Sequence, residues 1–246
     1  IKPSAILAAL KKEPVTIMAA VPRLLFGLKN GIKQKFSGAK TPLLEFLLGR
    51  AKRLGRAGRR RLFFFVHRKF NPRFRFFVSG GSALDPDTEG FWEALGFTVL
   101  QGYGLTECSP ILTVNSEKNR RAGSIGQALD NVELKLAADG ELLAKGPNVF
   151  SGYYRDEKKT RDAFRDGWFL TGDIAGRDQD KFYFIKGRKK DLIVTGAGVN
   201  VFPEEIEAVL ATHPGVRHCA VVLAGPRGRG KLAAYVETNP NVAAGP

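Results

Sequence analysis

Cysteine and histidine are scarce in this chain of 246 residues, and their scarcity excludes two ways of holding a fold together. The two cysteines, Cys108 and Cys219, lie far apart in the sequence and outside any CxxC spacing. A disulfide framework is therefore excluded, and a reducing cytoplasm is the expected compartment. The three histidines, His67, His213 and His218, show no metal-binding spacing and are assigned no chemistry.

Long apolar runs and a leader pattern are missing as well. No run approaches the roughly 18–20 apolar residues that span a bilayer, because Pro22 and Arg23 interrupt the most apolar early stretch. The sequence has no signal-like region at Ile1, and it closes at Pro246 in a tail of Pro, Asn, Ala and Gly. We expect no transmembrane segment, and we expect the sequence to be a piece of a longer protein.

Acidic residues are also in short supply: 24 Asp and Glu stand against 39 Lys and Arg, a formal net charge of +15. The remaining composition, 43% hydrophobic and 26% charged, is that of a globular protein and excludes a disordered or collagen-like chain. At roughly 100–200 residues per domain, the length fits one large domain or two smaller ones.

The basic excess is concentrated between Arg50 and Arg75, which hold 11 Lys and Arg and no Asp or Glu, with phenylalanines interleaved. Three interpretations remain open: a phenylalanine core with a solvated basic face, attraction to an anionic membrane surface, and nucleic-acid binding. The first is favoured over the second. Nucleic acid is the least favoured, because no zinc-finger, homeodomain or RRM signature accompanies the charge. The expected location is cytoplasmic. If the basic stretch is attracted to an anionic membrane surface, the protein is expected to attach peripherally to the inner face of the membrane.

The first 119 residues alternate between helix and strand patterns. Asp85-Pro86 offers an N-cap and a first-turn proline for a helix, which Gly96 ends. Strand patterns flank this helix, an arrangement typical of a parallel sheet covered on both faces. The predicted elements are a helix over 4–12, a strand over 15–20, a helix over 22–35, a strand over 74–78, a helix from 86 and a strand over 97–101.

The pattern changes to antiparallel β from about residue 120 to 186. Residues 132–136 alternate with period two, and Asp139-Gly140 is a hairpin signal before a returning strand at 141–144. A second hairpin joins 168–170 to 181–185, and an α+β pattern follows with strands at 192–194, 216–223 and 232–237 and a helix from 203 to about 212.

The predicted fold class is therefore α/β, divided between two domains. Residues 1–186 form part of a large domain, with an α/β portion over 1–119 and a barrel-like antiparallel β subdomain over 120–186. Residues 187–246 form a hinge and part of a small α+β C-terminal domain.

Residues 101–107 (QGYGLTE) follow directly on a predicted strand. Glycines on either side of an aromatic ring let the backbone approach a flat ligand while Tyr103 stacks on it. The Thr106 hydroxyl can reach a phosphate oxygen, and the Glu107 carboxylate suits Mg²⁺. A plain turn explains the glycines equally well when this segment is considered alone.

Three further segments have both a chemical and a plain interpretation. Asp173, in the Thr171-Gly172-Asp173 run, is placed to accept hydrogen bonds from two neighbouring hydroxyls, although an Asx turn explains it as well. Residues 187–191 (GRKKD) read equally as a charged linker, and residues 195–198 (TGAG) as a hairpin turn.

The order of these segments resembles the adenylate-forming enzymes, which include acyl-CoA synthetases, luciferases and peptide-synthetase adenylation domains. Within that superfamily the chain is most similar to the long-chain fatty acyl-CoA synthetases, through Pro110-Ile111-Leu112 and the basic stretch before VSGG. The segments that carry the resemblance are VSGGSAL at 78–84, QGYGLTE at 101–107, GYY at 152–154, DGWFLTGD at 166–173, GRKKDLI at 187–193 and GVNVFPEEI at 198–206.

The resemblance implies a nucleotide site and a carboxylate-activating reaction. A carboxylate attacks the α-phosphate of ATP to give acyl-AMP and pyrophosphate, and the thiol of coenzyme A then displaces AMP. Fatty acid, ATP and coenzyme A are the implied substrates, with Mg²⁺ as the metal. The implied contacts with ATP or AMP come from Gly80, Gly81, Ser82, Gln101, Gly102, Tyr103, Gly104, Thr106, Asp173, Ile185 and Arg188.

The individual roles are also implied by the resemblance. In the first half of the site, Gly80 to Ser82 line the adenine, Gln101 meets its exocyclic amine, and Tyr103 stacks on the base. Thr106 and Glu107 are the implied catalytic pair, the first on the α-phosphate and the second as the Mg²⁺ ligand.

The second half of the implied site lies further along the chain. Asp173 grips the ribose hydroxyls with help from Arg188, and Ile185 packs near the base. Lys190 is the hinge of the C-terminal domain, and the turn at Gly196 and Gly198 lies on the coenzyme A path.

Two pieces of the family pattern have no match. The Ser/Thr/Gly-rich phosphate loop is expected before Ile1 and the C-terminal lysine after Pro246, so we expect the isolated chain to be inactive. An acyl-AMP ligase or another carboxylate-adenylating enzyme of the same fold remains an alternative. A non-catalytic nucleotide-binding or membrane-surface module is a second alternative.

Overall fold

The computed structural model of the protein describes residues 3–196, 198–211, 213, 215–225 and 230–238. The chain divides into two compact units. Unit 1 comprises Ile1–Asp130 and Asp180–Phe182, and unit 2 comprises Asn131–Gln179 and Tyr183–Pro246.

Helices and strands alternate along the described residues. The α-helices are α1 (Pro3–Lys12), α2 (Pro22–Gln34), α3 (Thr41–Ala51), α4 (Arg56–Leu62), α5 (Phe64–His67), α6 (Pro86–Ala94), α7 (Glu157–Ala163) and α8 (Pro203–Leu210). The strands of unit 1 are β1 (Ile17–Ala20), β2 (Phe76–Ser79), β3 (Thr98–Tyr103), β4 (Thr113–Val114) and β5 (Gln127–Ala128). Those of unit 2 are β6 (Glu133–Leu136), β7 (Glu141–Lys145), β8 (Phe164–Arg165), β9 (Trp168–Arg177), β10 (Tyr183–Arg188), β11 (Ile193–Val194), β12 (Asn200–Val201), β13 (Val216–Ala224) and β14 (Lys231–Thr238). Single 3₁₀ turns span Gly38–Lys40, Thr106–Cys108 and Lys189–Asp191.

The sheet of unit 1 has the order β1-β2-β3-β4-β5, and its first three strands are parallel, as predicted. The helix between β2 and β3 begins where its cap was predicted, since the Asp85 carboxylate accepts the Thr88 backbone N–H at 2.7 Å. Gly96 follows its last turn with a φ of +86°, the left-handed conformation that a glycine adopts without strain. The helix therefore ends near Gly96, and the chain rejoins the sheet at Thr98.

An aromatic cluster forms the core of unit 1. Phe70, Phe74, Phe77, Trp92 and Phe97 are all buried, and their ring centroids lie 4.7–6.4 Å apart. Such rings supply large buried areas and favourable edge-to-face contacts. Most phenylalanines of the basic stretch are therefore core residues, which confirms the first interpretation for them.

Helices α3, α4 and α5 were not predicted. Helix α3 carries apolar residues on its exposed face as well as its inward face, and α4 holds four arginines in seven residues, so neither shows a clear helical period. Leu44, Leu48 and Ala51 recur at helical spacing on α3 and face inward, while Leu43 and Phe46 face solvent. Short α7 was also missed.

The larger sheet of unit 2 has the order β10-β9-β7-β6, with β8 paired to β9, and every pairing is antiparallel. Both predicted hairpins are present, β6 with β7 and β9 with β10. Strand β9 is longer than predicted, because the Thr171-Gly172-Asp173 segment continues the strand instead of ending it. Strands β11 with β12 and β13 with β14 form two small sheets, and α8 ends at Leu210 within the described residues.

The predicted α/β class, with a parallel sheet followed by antiparallel β structure, is confirmed. The compact units meet in the sequence at residues 130 and 131, whereas the predicted hinge at 187 remains a prediction. Within the described part of the chain, no helix combines the length and apolar character needed to cross a membrane.

A buried carboxylate ties the elements of unit 1 together at the end of β3. The Oε2 atom of Glu89, on α6, accepts the Gln101 side-chain amide at 2.9 Å and the Gly123 backbone N–H at 2.8 Å. The Gln101 Oε1 atom accepts the Leu84 N–H at 3.4 Å, and the Asn115 side chain donates to the Gln101 carbonyl at 3.2 Å. One polar network therefore connects α6, the turn after β2, β3 and the segment after β4.

We predict that this network makes stability depend on pH. Burial raises the pKa of Glu89, and the Glu93 charge adds to the rise, while the Gly123 and Gln101 bonds oppose it. The folded state therefore binds this proton more tightly than the unfolded state, so the contribution of Glu89 to stability falls as the pH rises from about 4, where an ordinary glutamate titrates, through its higher folded-state range. Glu89→Gln keeps an oxygen acceptor and removes the titration, so the wild type should lose stability relative to this variant over that range.

Urea denaturation at several pH values measures the difference. Glu45→Gln, at an exposed position on α3, controls for the loss of one negative charge. A constant difference between wild type and Glu89→Gln across the range would contradict the prediction.

Candidate nucleotide-binding site

The first half of the candidate site lies in unit 1, at the carboxyl ends of β2 and β3. Ser79 and Gln101 pair in register at the ends of these parallel strands. The turn at Gly80, Gly81 and Ser82 therefore lies beside Gly102, and a Cβ atom on Gly80 would be 3.6 Å from the Gly102 carbonyl oxygen. The carboxyl edge of a parallel sheet is the position where open α/β sheets bind their ligands.

Three candidate side chains follow at the end of β3. Tyr103 is half-buried on the last residue of the strand, Thr106 is exposed at the start of the 3₁₀ turn, and Glu107 is half-buried next to it. The structure thus brings an aromatic ring, a hydroxyl and a carboxylate together within five consecutive residues.

The Glu107 carboxylate fits the expected metal. Mg²⁺ is usually held by one or two carboxylates together with substrate phosphates and water, so it does not require a dedicated protein cage. The described residues contain no group of three or more His, Cys, Asp and Glu arranged to hold a metal ion. A single hard oxygen ligand at Glu107 is the arrangement that such a substrate-borne ion needs.

The Gln101 side chain is bonded within unit 1. Its side-chain nitrogen donates to Glu89, its oxygen accepts the Leu84 N–H, and the residue is only 5% exposed. Both ends of the amide are thus bonded inside the protein, and these bonds fix the strand that carries Tyr103. The pairing of Gln101 with an exocyclic amine of the base remains a prediction.

Gly104 is required by the fold of the turn itself. A Cβ atom at this position would lie 1.8 Å from the Pro110 carbonyl oxygen, far inside van der Waals contact. Close approach of a ligand is therefore not needed to explain this glycine.

Cys108 lies next to Glu107 and is fully buried. Burial, with a smaller contribution from the Glu107 charge, raises the pKa of the Cys108 thiol to about 11. A thiol with such a pKa supplies almost no thiolate at neutral pH, so it is a poor nucleophile.

The residues predicted as the second half of the site lie in unit 2, on the hairpin of β9 and β10. Asp173 and Arg188 face each other in the antiparallel register, and the Arg188 Nε atom donates to Asp173 Oδ1 at 2.8 Å. The Asp173 residue is 3% exposed, whereas the Arg188 side chain is 45% exposed. A carboxylate this deeply buried needs a cation or several donors, and the guanidinium supplies the charge.

Two residues of this half, Glu141 and Lys189, were missed from the sequence. Glu141 is 4% exposed, and its Oε1 atom accepts the Gly172 N–H at 3.0 Å. Its Oε2 atom accepts Lys189 Nζ at 2.7 Å, and Lys189 also reaches Asp139 Oδ2 at 2.7 Å. These bonds hold the glycine before Asp173 and the residue after Arg188 on one buried carboxylate.

The same contacts shift the pKa values of the exposed partners. Lys189 donates hydrogen bonds to the carboxylates of Asp139 and Glu141, and these bonds, the first more than the second, raise its pKa. The bond that Asp139 accepts from Lys189 lowers the pKa of Asp139. Asp139 was assigned only to a hairpin turn in the sequence. No local pattern shows that Glu141, two positions after Asp139, contacts a lysine 48 positions later in the chain.

The other predicted residues of this half occupy separate places. Ile185 is half-buried on β10, and Lys190 is exposed in the 3₁₀ turn after it. Gly196 and Gly198 lie in the exposed turn between β11 and β12, where the Gly198 N–H donates to the Thr195 carbonyl at 2.9 Å. Nothing in the fold assigns these four residues a ligand, so their roles remain predictions.

Helix α8 reaches the same region of unit 2. Burial raises the pKa of Glu204, in its first turn, and the charges of Asp191 and Asp173 add to the rise. The GRKKDLI, TGD and PEE segments are thus neighbours in this unit.

Comparison with known proteins identifies the family. The family described as AMP-binding enzyme matches residues 1–154, more than half of the chain. The chain therefore belongs to the AMP-binding enzymes, a family of adenylate-forming ligases.

Its relatives include ligases for different carboxylic acids. The long-chain-fatty-acid–CoA ligase FadD15 of Mycobacterium bovis is 43% identical over 145 residues, which are 59% of this chain and 24% of that protein. The 2-succinylbenzoate–CoA ligase of Listeria innocua is 37% identical over 155 residues, 62% of this chain and 33% of that protein. The chain thus spans about a quarter to a third of the length of these curated relatives.

Solved structures give the same fold. O-succinylbenzoate coenzyme A synthetase (MenE) of Bacillus subtilis, in complex with ATP and magnesium ion, matches with a TM-score of 0.74 and 26% identity over 100% of this chain and 46% of that chain. ATP-bound MatB of Rhodopseudomonas palustris matches with a TM-score of 0.74 and 29% identity over 100% of this chain and 44% of that chain.

We predict that Lys189 stabilises unit 2 by balancing the buried charge of Glu141. Lys189→Met should lower the free energy of unfolding by about 1 kcal/mol, a modest value because the lysine is partly exposed and its attraction is screened. Adding Glu141→Gln should recover most of the loss, because the neutral amide still accepts the Gly172 N–H and needs no cation.

Urea denaturation of the single and double variants measures this coupling. Lys190→Met removes an adjacent exposed lysine and should change stability by less than about 0.5 kcal/mol. Equal losses for Lys189→Met and Lys190→Met would contradict the assigned role.

Proposed function

We propose that this chain is the nucleotide-binding part of an ATP-dependent coenzyme A ligase that activates a long-chain fatty acid. The observation that carries the proposal is its likeness to long-chain-fatty-acid–CoA ligases, which reaches 44% identity over 157 residues in the Salmonella typhimurium protein. The 2-succinylbenzoate–CoA ligases reach 37% over 155 residues.

The reaction has two displacements. A carboxylate oxygen of the acid attacks the α-phosphorus of ATP, the bond to the pyrophosphate oxygen breaks, and acyl-AMP forms. The sulfur of coenzyme A then attacks the acyl carbon, and AMP leaves as the thiol proton is lost. Neither step uses a covalent protein intermediate, in keeping with the unreactive Cys108.

The proposed role of unit 1 is to stack on the adenine and to stabilise charge on the phosphates. Tyr103 stacks on the adenine, and the Thr106 hydroxyl donates to an α-phosphate oxygen. Glu107 would hold Mg²⁺, which when bound neutralises phosphate charge as the α-phosphorus is attacked. Gln101 fixes the strand that ends in Tyr103.

In unit 2 the proposed work is ribose recognition. Asp173 accepts hydrogen bonds from the ribose hydroxyls, and the Arg188 guanidinium balances the charge of the buried carboxylate and orients it. The bond from Glu141 to the Gly172 N–H fixes the backbone that carries Asp173. The neighbours of Asp173 therefore hold its carboxylate in position before a ligand binds.

Lys190 is the proposed hinge and follows two anchored residues. Arg188 is bound to Asp173, and Lys189 to Asp139 and Glu141. A rotation about Lys190 would leave both contacts intact, whereas a rotation two residues earlier would break them. The turn at Gly196 and Gly198 would then move towards the proposed coenzyme A path.

A second candidate substrate is 2-succinylbenzoate. It is favoured by the Listeria relatives and by the MenE structures, whose names state that acid. The isolated chain is proposed to bind AMP without turning over, since it spans less than half of each of these relatives.

We predict that the 246-residue chain binds AMP and that both halves of the site contribute. Asp173→Asn should weaken binding by about 10- to 100-fold, because a hydrogen bond to a charged group is lost. Tyr103→Ala should weaken it by about 5- to 100-fold through loss of stacking. Isothermal titration calorimetry measures both effects.

Tyr154→Ala is the matched control, because Tyr154 is a tyrosine that is 85% exposed in the GYY segment and has no role in the proposed site. Tight AMP binding that is unchanged in Asp173→Asn would contradict the proposed ribose contact.

The substrate is tested on the product of the complete open reading frame. We expect AMP formation that requires coenzyme A and is faster with palmitate than with octanoate, acetate or 2-succinylbenzoate. A preference for 2-succinylbenzoate would favour the second candidate. AMP formed from palmitate without coenzyme A would indicate an acyl-AMP ligase, and no AMP with any acid would indicate a binding module.

A further inference from the structure

Part of unit 1 exposes apolar side chains on helices that also carry its basic excess. On α3, Leu44 and Ala51 face the core, while Leu43 and Phe46 are 51% and 62% exposed on the opposite face. Phe64, the first residue of α5, is 57% exposed. These helices thus carry three large exposed apolar side chains, Leu43, Phe46 and Phe64.

The charge around these side chains has one sign. Residues 35–75 contain 13 lysines and arginines and one acidic residue, Glu45. Arg50 lies four residues after Phe46, so it shares the exposed face of α3. The patch would therefore attract an anionic partner and repel a cationic one.

Only some of these cations have partners inside the protein. Arg59 donates to the backbone carbonyls of Ala51, Leu54 and Glu93, and Arg75 is paired with Glu117. Among the described residues, no acidic side chain pairs with Arg50, Arg53, Arg61, Arg68 or Lys69. Folding therefore does not neutralise the positive charge of this surface.

A lysine group lies beside the exposed aromatic rings. The Phe64 ring meets Phe65 at 6.2 Å between centroids, and Phe65 meets Phe36 at 5.6 Å. Lys35, next to Phe36, lies close enough to Lys69 to lower the pKa of Lys69, chiefly as its hydrogen-bond neighbour, and Lys11 adds to this effect. Cations brought this close repel one another unless an anion lies between them.

We propose that α3, α4 and α5 form a docking surface for an anionic lipid bilayer. The basic side chains face the headgroup phosphates. Phe46, Leu43 and Phe64 enter the interfacial layer. This goes beyond the proposed ligase activity and needs neither nucleotide nor coenzyme A.

The exposed apolar side chains favour an anionic bilayer over a nucleic acid as the partner of this surface. A nucleic-acid backbone would attract the same charges but would leave Leu43 and Phe46 on α3 in water. A bilayer accommodates both, because apolar side chains bury in the acyl boundary while lysine and arginine stems keep their charges at the headgroups.

Vesicle co-sedimentation of the 246-residue chain tests the proposal. The probes are vesicles of phosphatidylcholine and phosphatidylglycerol in equal parts, vesicles of phosphatidylcholine alone, and a DNA duplex as competitor. We expect binding to the mixed vesicles only, lost at about 1 M salt, where the Debye length is about 3 Å.

Two pairs of variants separate charge from apolar insertion. Lys35→Gln with Lys69→Gln should lower the partition coefficient by about tenfold or more, whereas Lys158→Gln with Arg161→Gln, exposed on α7 of unit 2, should leave it within about twofold. Phe46→Ser and Phe64→Ser should each lower it by about fivefold or more, and Tyr154→Ser should not. Circular dichroism confirms that each variant is folded.

Each other outcome overturns the proposal. Equal binding to both vesicle types would show apolar adhesion without lipid charge. Displacement from vesicles by DNA, with no effect of Phe46→Ser or Phe64→Ser, would identify a nucleic-acid surface. No binding to mixed vesicles at low salt, while AMP still binds, would exclude the surface and leave the proposed function standing.

Discussion

The candidate site in unit 1 depends on one buried carboxylate, Glu89. It lies on α6 and accepts donors from β3 and from the Gly123 loop, so three separate stretches of chain meet at a single acceptor. Removing a charge from water in this way is costly, and the network repays the cost only while every donor is in place. The aromatic core beneath sets the distance between the helix and the sheet. The polar network then sets the position of the strand end, and with it the direction in which Tyr103 leaves the sheet.

Unit 2 organises its half of the site by alternating charges instead of by apolar packing. Two consecutive cations, Arg188 and Lys189, contact different carboxylates because the strand ends between them and the 3₁₀ turn begins. Each cation is partly exposed while Asp173 and Glu141 are buried. Each of these buried carboxylates is thus balanced by a partly exposed cation. A ribose would meet a carboxylate that is already oriented, so little ordering would be needed when it binds.

Much of the fold was predictable because the signals were local. The period-two alternation before Asp139-Gly140 predicted a hairpin, and Asp85-Pro86 predicted the start of α6. The order of the motifs predicted the family and pointed to Asp173 and Arg188. The rest depended on contacts between distant positions. Nothing near Gln101 reveals that its amide is bound to Glu89, and nothing near Lys189 reveals Glu141. Helices α3 and α4 were missed for another reason: exposed apolar residues on α3 and four arginines on α4 conceal the spacing of the inward-facing residues.

Gly104 shows how a structural requirement can imitate a functional one. Its missing side chain makes room for the Pro110 carbonyl, so any larger residue would displace the turn whether or not a nucleotide is bound. An alignment of relatives would show an invariant column at this position under purifying selection for folding alone. Invariance at Gly104 would therefore carry no information about catalysis. Variation at Thr106, whose side chain is exposed, would report on chemistry much more directly, and catalytically dead descendants of the family would be expected to keep the glycine while losing the threonine.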